Sequence, residues 1–355
     1  MSEMMQCAVY NGSPEIQVTQ KPIPEVGSGD VLLKVMACGI CGTDLRILNF
    51  GHHRIPAGIS RVLGHELSGE VVEVGKDVSW PKVGMRVTVA PNIGCGHCDE
   101  CVQGNVNLCE DYQGFGILLD GGFAEYMLVP HKGVEQGNIS EIPDGLSYAE
   151  AAFTEPLSCA YHGIMACYPR PHDTVLIVGI GPIGLSHLQV ARFLSAYKVI
   201  ACDRHDSRLS MALEMGADYT VNPTKQDLKT AVMEMTNGRG VDIAIIAAPS
   251  ADAQKQSLEL LAPHGRINFF GGLSKDNSLA QLDANLIHYR ELYVTGTTGQ
   301  TVKQFRTTLE MMAAGHMKVD KLITDRFPLS ESPAAFTFAK SKQGLKTMIF
   351  PHGVQ

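Results

Sequence analysis

The amino-acid sequence predicts an α/β fold in which a doubly wound parallel sheet is joined to a β-rich domain. The chain has 355 residues, enough for two domains of ordinary size. Up to about residue 150 it shows short β-like runs between Gly and Pro residues, and beyond that point short apolar runs alternate with helix-like stretches. We therefore expect a β-rich domain over residues 1–150, completed by residues 297–355, and a doubly wound α/β domain over residues 151–296.

The strands of the first domain are predicted from short runs rich in Val, Leu and other apolar residues. These runs are Val31–Val35, Leu67–Val74 and Arg86–Ala90. Their lengths are typical of strands, and the Gly and Pro residues between them are typical of turns. This half of the sequence therefore indicates a small β-rich domain with long loops.

The predicted strands of the second domain are apolar on both faces, as strands buried between two layers of helices must be. They are Thr174–Val178, Lys198–Cys202, Val241–Ala247 and Gly265–Phe270, with Glu291–Gly296 as the last strand. Leu185–Leu194 and Val302–Ala314 are predicted helices. We expect the tail that contains the second helix to fold back onto the first domain.

Composition and charge argue against several classes of partner. The formal net charge of −8 and the pI near 5.9 disfavour nucleic acid and anionic membrane surfaces. The N-terminal residues do not form a signal peptide pattern and no apolar run is long enough to span a bilayer, so we expect a cytoplasmic protein. In that compartment ten cysteines favour metal or redox chemistry over structural disulfides.

A glycine-rich turn follows the first predicted strand of the second domain. It reads Gly179-Ile180-Gly181-Pro182-Ile183-Gly184. Gly179 permits the tight turn, Gly181 lets the backbone approach a pyrophosphate, and Gly184 lets helix and strand pack closely. The helix start that includes Pro182 and Ile183 offers N–H donors and a positive dipole end to phosphates. This segment therefore predicts a dinucleotide site.

An acidic residue at the end of the next predicted strand extends the candidate cofactor site. Asp203 can accept hydrogen bonds from both adenosine ribose hydroxyls and would repel a 2′-phosphate, although a turn aspartate is the alternative. Arg204 and Arg208 are further candidate cofactor contacts, and Arg204 could bind a phosphate. With Asp203 present, the sequence favours NAD over NADP.

Four cysteines form a compact metal-binding pattern. Cys95, Cys98, Cys101 and Cys109 are spaced as C-x2-C-x2-C-x7-C. Four thiolates at such spacing suit a closed tetrahedral zinc site. An iron–sulfur cluster is the alternative, but the bacterial cluster run has a shorter last gap followed by proline, whereas Glu110 follows here. The pattern therefore favours a structural zinc.

A second candidate metal site is dispersed along the chain. Its candidate ligands are Cys41, His65, Glu66 and Glu155. A thiolate, an imidazole and carboxylate oxygens can hold zinc while leaving a position for water or substrate. Each residue also has an alternative interpretation: Cys41 with Cys38 forms a C-x-x-C pair, His65 could be a core histidine, and Glu155 could be a helix-start acid.

The sequence resembles the zinc-dependent medium-chain alcohol dehydrogenase family, and within it the polyol and threonine dehydrogenase branch. The resemblance covers nearly the whole chain. It rests on Cys-Gly-Thr-Asp at 41–44, Gly-His-Glu-Leu-Ser-Gly at 64–69, Gly75, Val78, the four cysteines, Gly-Gly-Phe-Ala-Glu-Tyr at 121–126, the glycine-rich turn and Asp203. It implies a GroES-like catalytic domain, a Rossmann NAD-binding domain with the active site in the cleft between them, two zinc ions per chain, and a homodimer or homotetramer.

Roles for individual residues follow from the resemblance by position. It implies a catalytic zinc held by Cys41, His65 and Glu66, with Glu155 as a direct or water-bridged ligand. Asp44 would orient the histidine ligand.

The resemblance also implies a proton relay. Thr43 would take the substrate proton. Arg46 stands where many alcohol dehydrogenases place the histidine that ends the relay, so the end of the relay stays open.

The implied reaction is the reversible oxidation of a secondary alcohol of a polyol, sugar acid or sugar phosphate. Buried polar groups near the metal favour a ligand that can hydrogen-bond to them. Gly299-Gln300 stands near where sorbitol dehydrogenases carry an Arg-Tyr pair, so we expect sorbitol itself to be a poor substrate. His52, His53, Arg54 and Arg61 would favour an anionic substrate if they faced the site, and a solvated loop is the alternative.

Three other functions remain open from the sequence. They are a threonine-type dehydrogenase, a zinc- and dinucleotide-binding protein without turnover, and a thiol oxidoreductase that uses Cys38 and Cys41.

Overall fold

A computed structural model describes residues 3–56, 58–274 and 278–354. The chain divides into two compact units. One consists of Met1–Glu155 and Gln300–Gln355, and the other of Pro156–Gly299. The first unit contains all the candidate metal ligands, and the second contains the glycine-rich turn.

Short strands alternate with helices of at most twelve residues throughout the described part of the chain. The strands are β1 Met4–Tyr10, β2 Gln17–Pro22, β3 Val31–Gly39, β4 Arg61–Val62, β5 Glu66–Val74, β6 Arg86–Val89, β7 Asn92–Ile93, β8 Gln113–Gly114, β9 Tyr126–Val129, β10 Ile139–Glu141, β11 Thr174–Val178, β12 Lys198–Cys202, β13 Tyr219–Val221, β14 Val241–Ile246, β15 Leu261–Asn268, β16 Tyr293–Thr295, β17 Ile323–Pro328 and β18 Lys346–Phe350. The helices are α1 Gly42–Phe50, α2 Asp99–Val102, α3 His131–Glu135, α4 Tyr148–Ala152, α5 Thr154–Met165, α6 Pro182–Phe193, α7 Asp206–Glu214, α8 Leu228–Met235, α9 Ala251–Leu258, α10 Ala284–Arg290, α11 Val302–Ala313 and α12 Ser332–Ser341.

The first unit is built on a seven-stranded sheet in the order β10-β6-β5-β3-β18-β17, with β9 also paired to β3. Strands β2-β1-β4 form a second sheet, and β7 pairs with β8. Residues from the end of the chain enter the large sheet, because β18 runs antiparallel to β3 with Ile349 opposite Cys38. The core beneath includes Phe123, which packs edge-on against Phe336 at 5.4 Å between ring centroids.

The second unit is a six-stranded parallel sheet in the order β13-β12-β11-β14-β15-β16. All five residues of β11 are buried, as expected for a strand covered by helices on both faces. This strand order, in which β11 lies at the centre and the chain winds outward in both directions, is the doubly wound dinucleotide-binding arrangement. The predicted fold class, a doubly wound sheet joined to a β-rich domain, is therefore confirmed.

Several strand boundaries differ from the prediction. β15 begins at Leu261 and ends at Asn268, whereas the apolar run predicted Gly265–Phe270. Its register shifts against β14, and residues 261–264, which include the exposed Pro263 and His264, are still part of the strand. β13 was missed because its three residues are too short to give a periodic signal. Within the described residues, no helix has the length and apolar character that crossing a membrane requires.

Candidate metal centres and cofactor site

The dispersed candidate site is organised around Asp44, which is completely buried near the start of α1. Its carboxylate accepts a hydrogen bond from the Cys41 N–H at 2.9 Å and one from the Gly64 N–H at 3.3 Å. Cys41 precedes the first residue of the helix, and Gly64 precedes His65 in the chain. One carboxylate therefore ties together the two chain segments that carry the candidate ligands.

The structure brings three of the predicted ligands together. One ligand atom each from Cys41, His65 and Glu66 lies within 4.8 Å of the others. The Nδ1 atom of His65 lies 3.6 Å from the Asp44 Oδ1 atom, which fits the predicted orienting role by electrostatic attraction.

Lys346 also belongs to this site, and the sequence reasoning missed it. It starts strand β18, its side chain is only 6% exposed, and its ammonium forms an ion pair with the Glu66 carboxylate. It also donates a hydrogen bond to the Ile40 carbonyl at 3.0 Å. Burial would lower the pKa of Lys346, but the neighbouring negative charges, that of Glu66 first, raise it above its usual value. Lys346 is therefore a charged partner of Glu66 inside the site.

Glu155 stands slightly apart from the other candidate ligands. It is buried in the first turn of α5 and is not one of the three close ligand residues. Its charge nevertheless raises the pKa values of His65 and Lys346, so it lies within electrostatic reach of the site. Its role as a direct or water-bridged ligand stays a prediction.

The charges around the site favour a bound cation. The carboxylates buried there are those of Asp44, Glu66 and Glu155, beside the ammonium of Lys346. Burial opposes protonation of His65, but the negative charges of Cys41 and Asp44 outweigh it and raise the pKa of His65 well above its usual 6.5. The site thus stabilises positive charge at the imidazole, and a divalent cation would supply it. Thiolate, imidazole and carboxylate together suit zinc.

Two further predicted site residues lie on α1. Thr43 is in the first turn and is half-buried, next to Asp44 in the chain. Arg46 follows one turn later and is exposed. The structure thus places Thr43 in the first turn of α1, just after Cys41, and its role in the relay stays a prediction.

Cys38 is a core residue of β3. Burial first, and then the charges of Asp44 and Glu66, raises the pKa of Cys38 well above its usual 9.0. Reactive thiols in exchange reactions are partly exposed and have lowered pKa values. The Cys38–Cys41 redox pair is therefore disfavoured.

The four clustered cysteines converge as predicted. One sulfur atom each from Cys95, Cys98, Cys101 and Cys109 lies within 4.8 Å of the others. Backbone N–H groups point at the sulfurs: Cys95 donates to the Cys109 Sγ at 3.2 Å, and Cys98 donates to the Cys95 Sγ at 3.3 Å. The N–H groups of His97 and Cys98 lower the pKa of Cys95 to about 6. This cluster of four thiols, with no carboxylate or imidazole in the group, suits a closed zinc site.

The basic residues of the loop after α1 are held by the protein itself. The Arg54 guanidinium donates hydrogen bonds to the carbonyls of Glu110 and Tyr112. Arg61 pairs with Asp120 at 3.0 Å. His52 and His53 stack on each other at 4.7 Å between ring centroids. The suggestion that these arginines attract an anionic substrate is therefore not supported by their contacts.

The glycine-rich turn has the geometry that its sequence predicts. Gly179 has a φ of +97°, and a Cβ at Gly184 would lie 2.0 Å from the Gly179 carbonyl oxygen. A Cβ at Gly181 would meet nothing within 4 Å, and Gly181 is the N-cap of α6 with Pro182 as its first residue. Gly181, Pro182 and Ile183 are partly exposed. The helix N-terminus thus faces open space that a pyrophosphate could fill.

Asp203 connects this turn to the end of β12. Its Oδ2 atom accepts the Ile180 N–H at 2.7 Å, and its Oδ1 atom accepts the His205 N–H at 2.9 Å. Burial opposes ionisation, but these hydrogen bonds outweigh it and lower the pKa of Asp203. The charged carboxylate oxygens keep lone pairs for further donors. Arg208 lies 3.8 Å from this carboxylate, and Arg204 is exposed.

Gly299 and Gln300 fall at the boundary of the two units. The Gly299 carbonyl lies 2.9 Å from the Nδ1 atom of His162, and Gln300 is 2% exposed. Gln300 is thus a buried polar residue.

Two known protein families match most of this chain. The alcohol dehydrogenase GroES-like domain matches residues 27–141, and the zinc-binding dehydrogenase domain matches residues 182–314. The first match includes Cys41, His65, Glu66 and the four clustered cysteines, and the second begins at the first residue of α6.

Full-length relatives extend this likeness. A D-arabitol-phosphate dehydrogenase from Enterococcus avium is 36% identical over 92% of this chain and 91% of its own. A sorbitol dehydrogenase from Bacillus subtilis is 33% identical over 98% of both chains. The crystal structure of a zinc-binding dehydrogenase from Sinorhizobium meliloti with bound NADP has 35% identity and a TM-score of 0.89, covering 99% of this chain and 100% of that one.

Proposed function

We propose a specific reaction for this chain, which belongs to the polyol and threonine dehydrogenase branch of the zinc-dependent medium-chain alcohol dehydrogenases. It oxidises a secondary alcohol of a polyhydroxylated compound to the ketone, reversibly, with NAD as the hydride acceptor. The observation that carries the proposal is the convergence of Cys41, His65 and Glu66 around one point, beside a buried excess of carboxylates.

Each residue of the site has a defined task. When bound, zinc supplies a Lewis acid for the alcohol oxygen and NAD supplies the hydride acceptor. Cys41 and His65 would hold the metal. Asp44 accepts hydrogen bonds from the Cys41 and Gly64 N–H groups and so fixes the two chain segments that carry these ligands. The Thr43 hydroxyl takes the substrate proton and passes its own outward, toward the nicotinamide ribose of the bound cofactor.

Glu66 and Lys346 adjust the charge of the site. Lys346 holds the Glu66 carboxylate by an ion pair, so the net negative charge at the metal is smaller than the ligand set alone would give. Glu66 is the third ligand of the metal, and Glu155 is a direct or water-bridged one.

The charged Asp203 supports the preference for NAD. Its lowered pKa keeps a negative charge at the end of β12 near neutral pH, where the 2′-phosphate of NADP would be placed. Arg204 and Arg208 oppose this repulsion, and the Sinorhizobium meliloti relative carries NADP. Measuring kcat/KM with NAD and with NADP tests this preference. A higher value with NADP would show that the attraction of Arg204 and Arg208 for the 2′-phosphate outweighs the repulsion by Asp203.

The substrate class follows from the polarity of the site. A half-buried Thr43 hydroxyl near buried carboxylates suits a substrate with several hydroxyls. Two relatives are named for D-arabitol phosphate and sorbitol, which are polyhydroxylated. Since Arg54 and Arg61 bind other parts of the chain, no phosphate recognition is assigned to them. Gln300, in place of the Arg-Tyr pair, makes sorbitol a poor substrate.

A substrate panel tests the proposal. The zinc-loaded protein is assayed for NADH formation with polyols, sugar acids, polyol phosphates, threonine and ethanol. We expect the highest kcat/KM for a polyhydroxylated secondary alcohol other than sorbitol. Threonine in first place would support the threonine-type alternative, and ethanol in first place would refute the substrate class. No turnover with any compound would favour the non-catalytic alternative.

We also propose that the chain forms a homodimer or homotetramer. Strand β16 lies at the edge of the six-stranded sheet, and its Tyr293 and Val294 are exposed, as is Tyr289 on α10. An exposed edge strand offers unpaired backbone groups to a second copy. Sedimentation analysis of the wild type and of Val294→Pro tests this, with a shift toward monomer expected for the variant and a monomeric wild type as the contrary result.

A further inference from the structure

We propose that Arg54 is a positioning residue that fastens the loop after α1 to the chain leaving the four-cysteine cluster. Metal binding by the four cysteines then controls the order of this loop and of the end of α1 from which it continues. The proposal deepens the proposed function, on which it rests for the role of α1.

Arg54 makes three contacts with a single segment of the chain. Its Nη2 atom donates to the Glu110 carbonyl at 2.6 Å, and its Nη1 atom donates to the Tyr112 carbonyl at 3.1 Å. Its guanidinium carbon lies 4.5 Å from the centre of the Tyr112 ring. Planarity, paired donors and ring stacking are properties that arginine has and lysine lacks.

The segment that Arg54 grips is positioned by the cysteine cluster. Glu110 directly follows Cys109, and the Tyr112 N–H donates to the Cys109 carbonyl at 3.2 Å. The Cys109 sulfur in turn accepts the Cys95 N–H at 3.2 Å. When a metal fixes the four sulfurs, it also fixes the two carbonyls that Arg54 binds.

The loop that carries Arg54 continues directly from α1, the helix that carries Thr43 and Asp44. The Gly51 N–H donates to the Ile47 carbonyl, which closes the last turn of α1, and the buried Ile55 re-enters the core after Arg54. The Arg54 N–H donates to the His52 Nδ1 atom at 3.2 Å, which makes the loop a compact turn. The contacts of Arg54 with Glu110 and Tyr112, which we call the latch, therefore act on the end of α1 opposite Cys41 and Thr43.

A second contact from the same segment reaches the other half of the metal site. After β8 the chain passes Gly116, where a Cβ would lie 3.0 Å from the Gly64 nitrogen. Gly64 donates to Asp44 and immediately precedes His65. The chain leaving the cysteine cluster thus contacts the loop after α1 and also the turn that precedes His65.

Hydrogen–deuterium exchange of the full-length, zinc-loaded protein tests the latch without reference to activity. We expect Arg54→Ala to increase exchange in residues 51–55 about 5- to 30-fold, which corresponds to the loss of one or two kcal/mol of local stability. Exchange of these residues in Arg54→Lys should fall between that in Arg54→Ala and that in the wild type. Arg306→Ala is the matched control, because Arg306 donates to the Gly137 carbonyl in the same unit and does not contact the loop. Unchanged exchange in Arg54→Ala would overturn the proposal.

Coupling to the metal is tested by disabling the cluster with Cys98→Ser. This variant should raise exchange in residues 51–55, and adding Arg54→Ala should raise it no further. Additive effects, or no effect of Cys98→Ser on the loop, would overturn the coupling. If Cys98→Ser fails to fold, exchange in residues 51–55 of the wild type during timed zinc removal decides: it should rise when the zinc of the four cysteines leaves, and no rise would overturn the coupling.

The kinetic readout separates positioning from general destabilisation. Arg54→Ala should keep two zinc ions and raise the KM for the alcohol more than it lowers kcat, because the reacting groups are anchored by the buried face of α1. Arg306→Ala should change neither constant. A fall in kcat with an unchanged KM would contradict a positioning role for Arg54.

Discussion

Asp44 shows how much of the site depends on a single buried side chain. It accepts backbone hydrogen bonds from the segments of Cys41 and His65 and is fully buried. The helix start at Cys41 and the turn at Gly64 would otherwise be independent pieces of chain. The geometry of the metal site therefore depends on residues that hold the ligands in place, such as Asp44, as much as on the ligands themselves.

The relay assignment is tested by Thr43→Ala. The variant loses the hydroxyl but no metal ligand, so it should retain its zinc and lose about 100- to 10,000-fold in kcat. Thr43→Ser is the control, because it keeps a hydroxyl and should retain most turnover. An unchanged kcat in Thr43→Ala, measured at saturating alcohol and NAD, would eliminate the relay.

His187 gives a prediction on stability. It is completely buried on α6 against Phe270, and burial lowers its pKa to about 3 from the usual 6.5. Between these pH values the unfolded chain binds more protons than the native one at this residue. Its contribution to stability is therefore full above pH 6.5 and is lost as the pH falls below that value, by up to about 1.4 kcal/mol per pH unit.

Urea unfolding of the wild type and of His187→Leu between pH 7.5 and 4.5 measures this effect. The variant should show a smaller loss of unfolding free energy over this range than the wild type. Parallel curves for the two proteins would contradict the assignment.

At the residue scale, the sequence predicted the positions that carry recognisable local patterns. Cys41, His65 and Glu66 converge, as do the four cysteines. Lys346 could not be predicted, since a single lysine at the start of a strand carries no signal until the fold pairs it with Glu66. The contacts of Arg54 were hidden for the same reason, because a sequence does not show which carbonyls lie beside a guanidinium.

At the scale of elements, the turn between β11 and α6 depends on glycines that serve different purposes. Gly184 packs against the Gly179 carbonyl, whereas Gly181 faces open space. An alanine at Gly184 must displace backbone, and an alanine at Gly181 meets nothing in the protein.

The pair Gly181→Ala and Gly184→Ala separates cofactor binding from packing. Gly184→Ala should lower the free energy of unfolding by about 1–3 kcal/mol. Gly181→Ala should leave unfolding unchanged yet weaken NAD binding, because its methyl group occupies the approach to the helix N-terminus. Calorimetric titration measures NAD binding and thermal unfolding measures stability. Equal NAD affinity in Gly181→Ala and the wild type would contradict the placement of the pyrophosphate at this helix N-terminus.

The boundaries of the buried central strands were predicted more accurately than those of the exposed edge strand. The apolar runs Thr174–Val178 and Lys198–Cys202 are the complete strands β11 and β12, because central parallel strands are apolar throughout. The edge strand β16 is shorter than predicted, and its first two residues are exposed. Pairing of β18 with β3 depends on contacts between distant parts of the chain, which local patterns do not contain.

At the scale of the whole molecule, the sequence predicted the fold class and the family. It also predicted one metal site of four thiolates and one of mixed ligands. The structure adds the backbone N–H groups that donate to the sulfurs and the buried Lys346–Glu66 pair beside the mixed ligands. A closed four-thiolate site holds zinc more firmly than a site that keeps a position open for substrate. The two ions should therefore leave the protein at different rates.

The most direct test of the account follows zinc content and turnover together during timed exposure to a chelator. The account predicts two zinc ions per chain, with activity lost as the first ion leaves while the circular dichroism spectrum stays unchanged. Carefully prepared protein with one zinc or none, or full activity after the first ion has left, would contradict it.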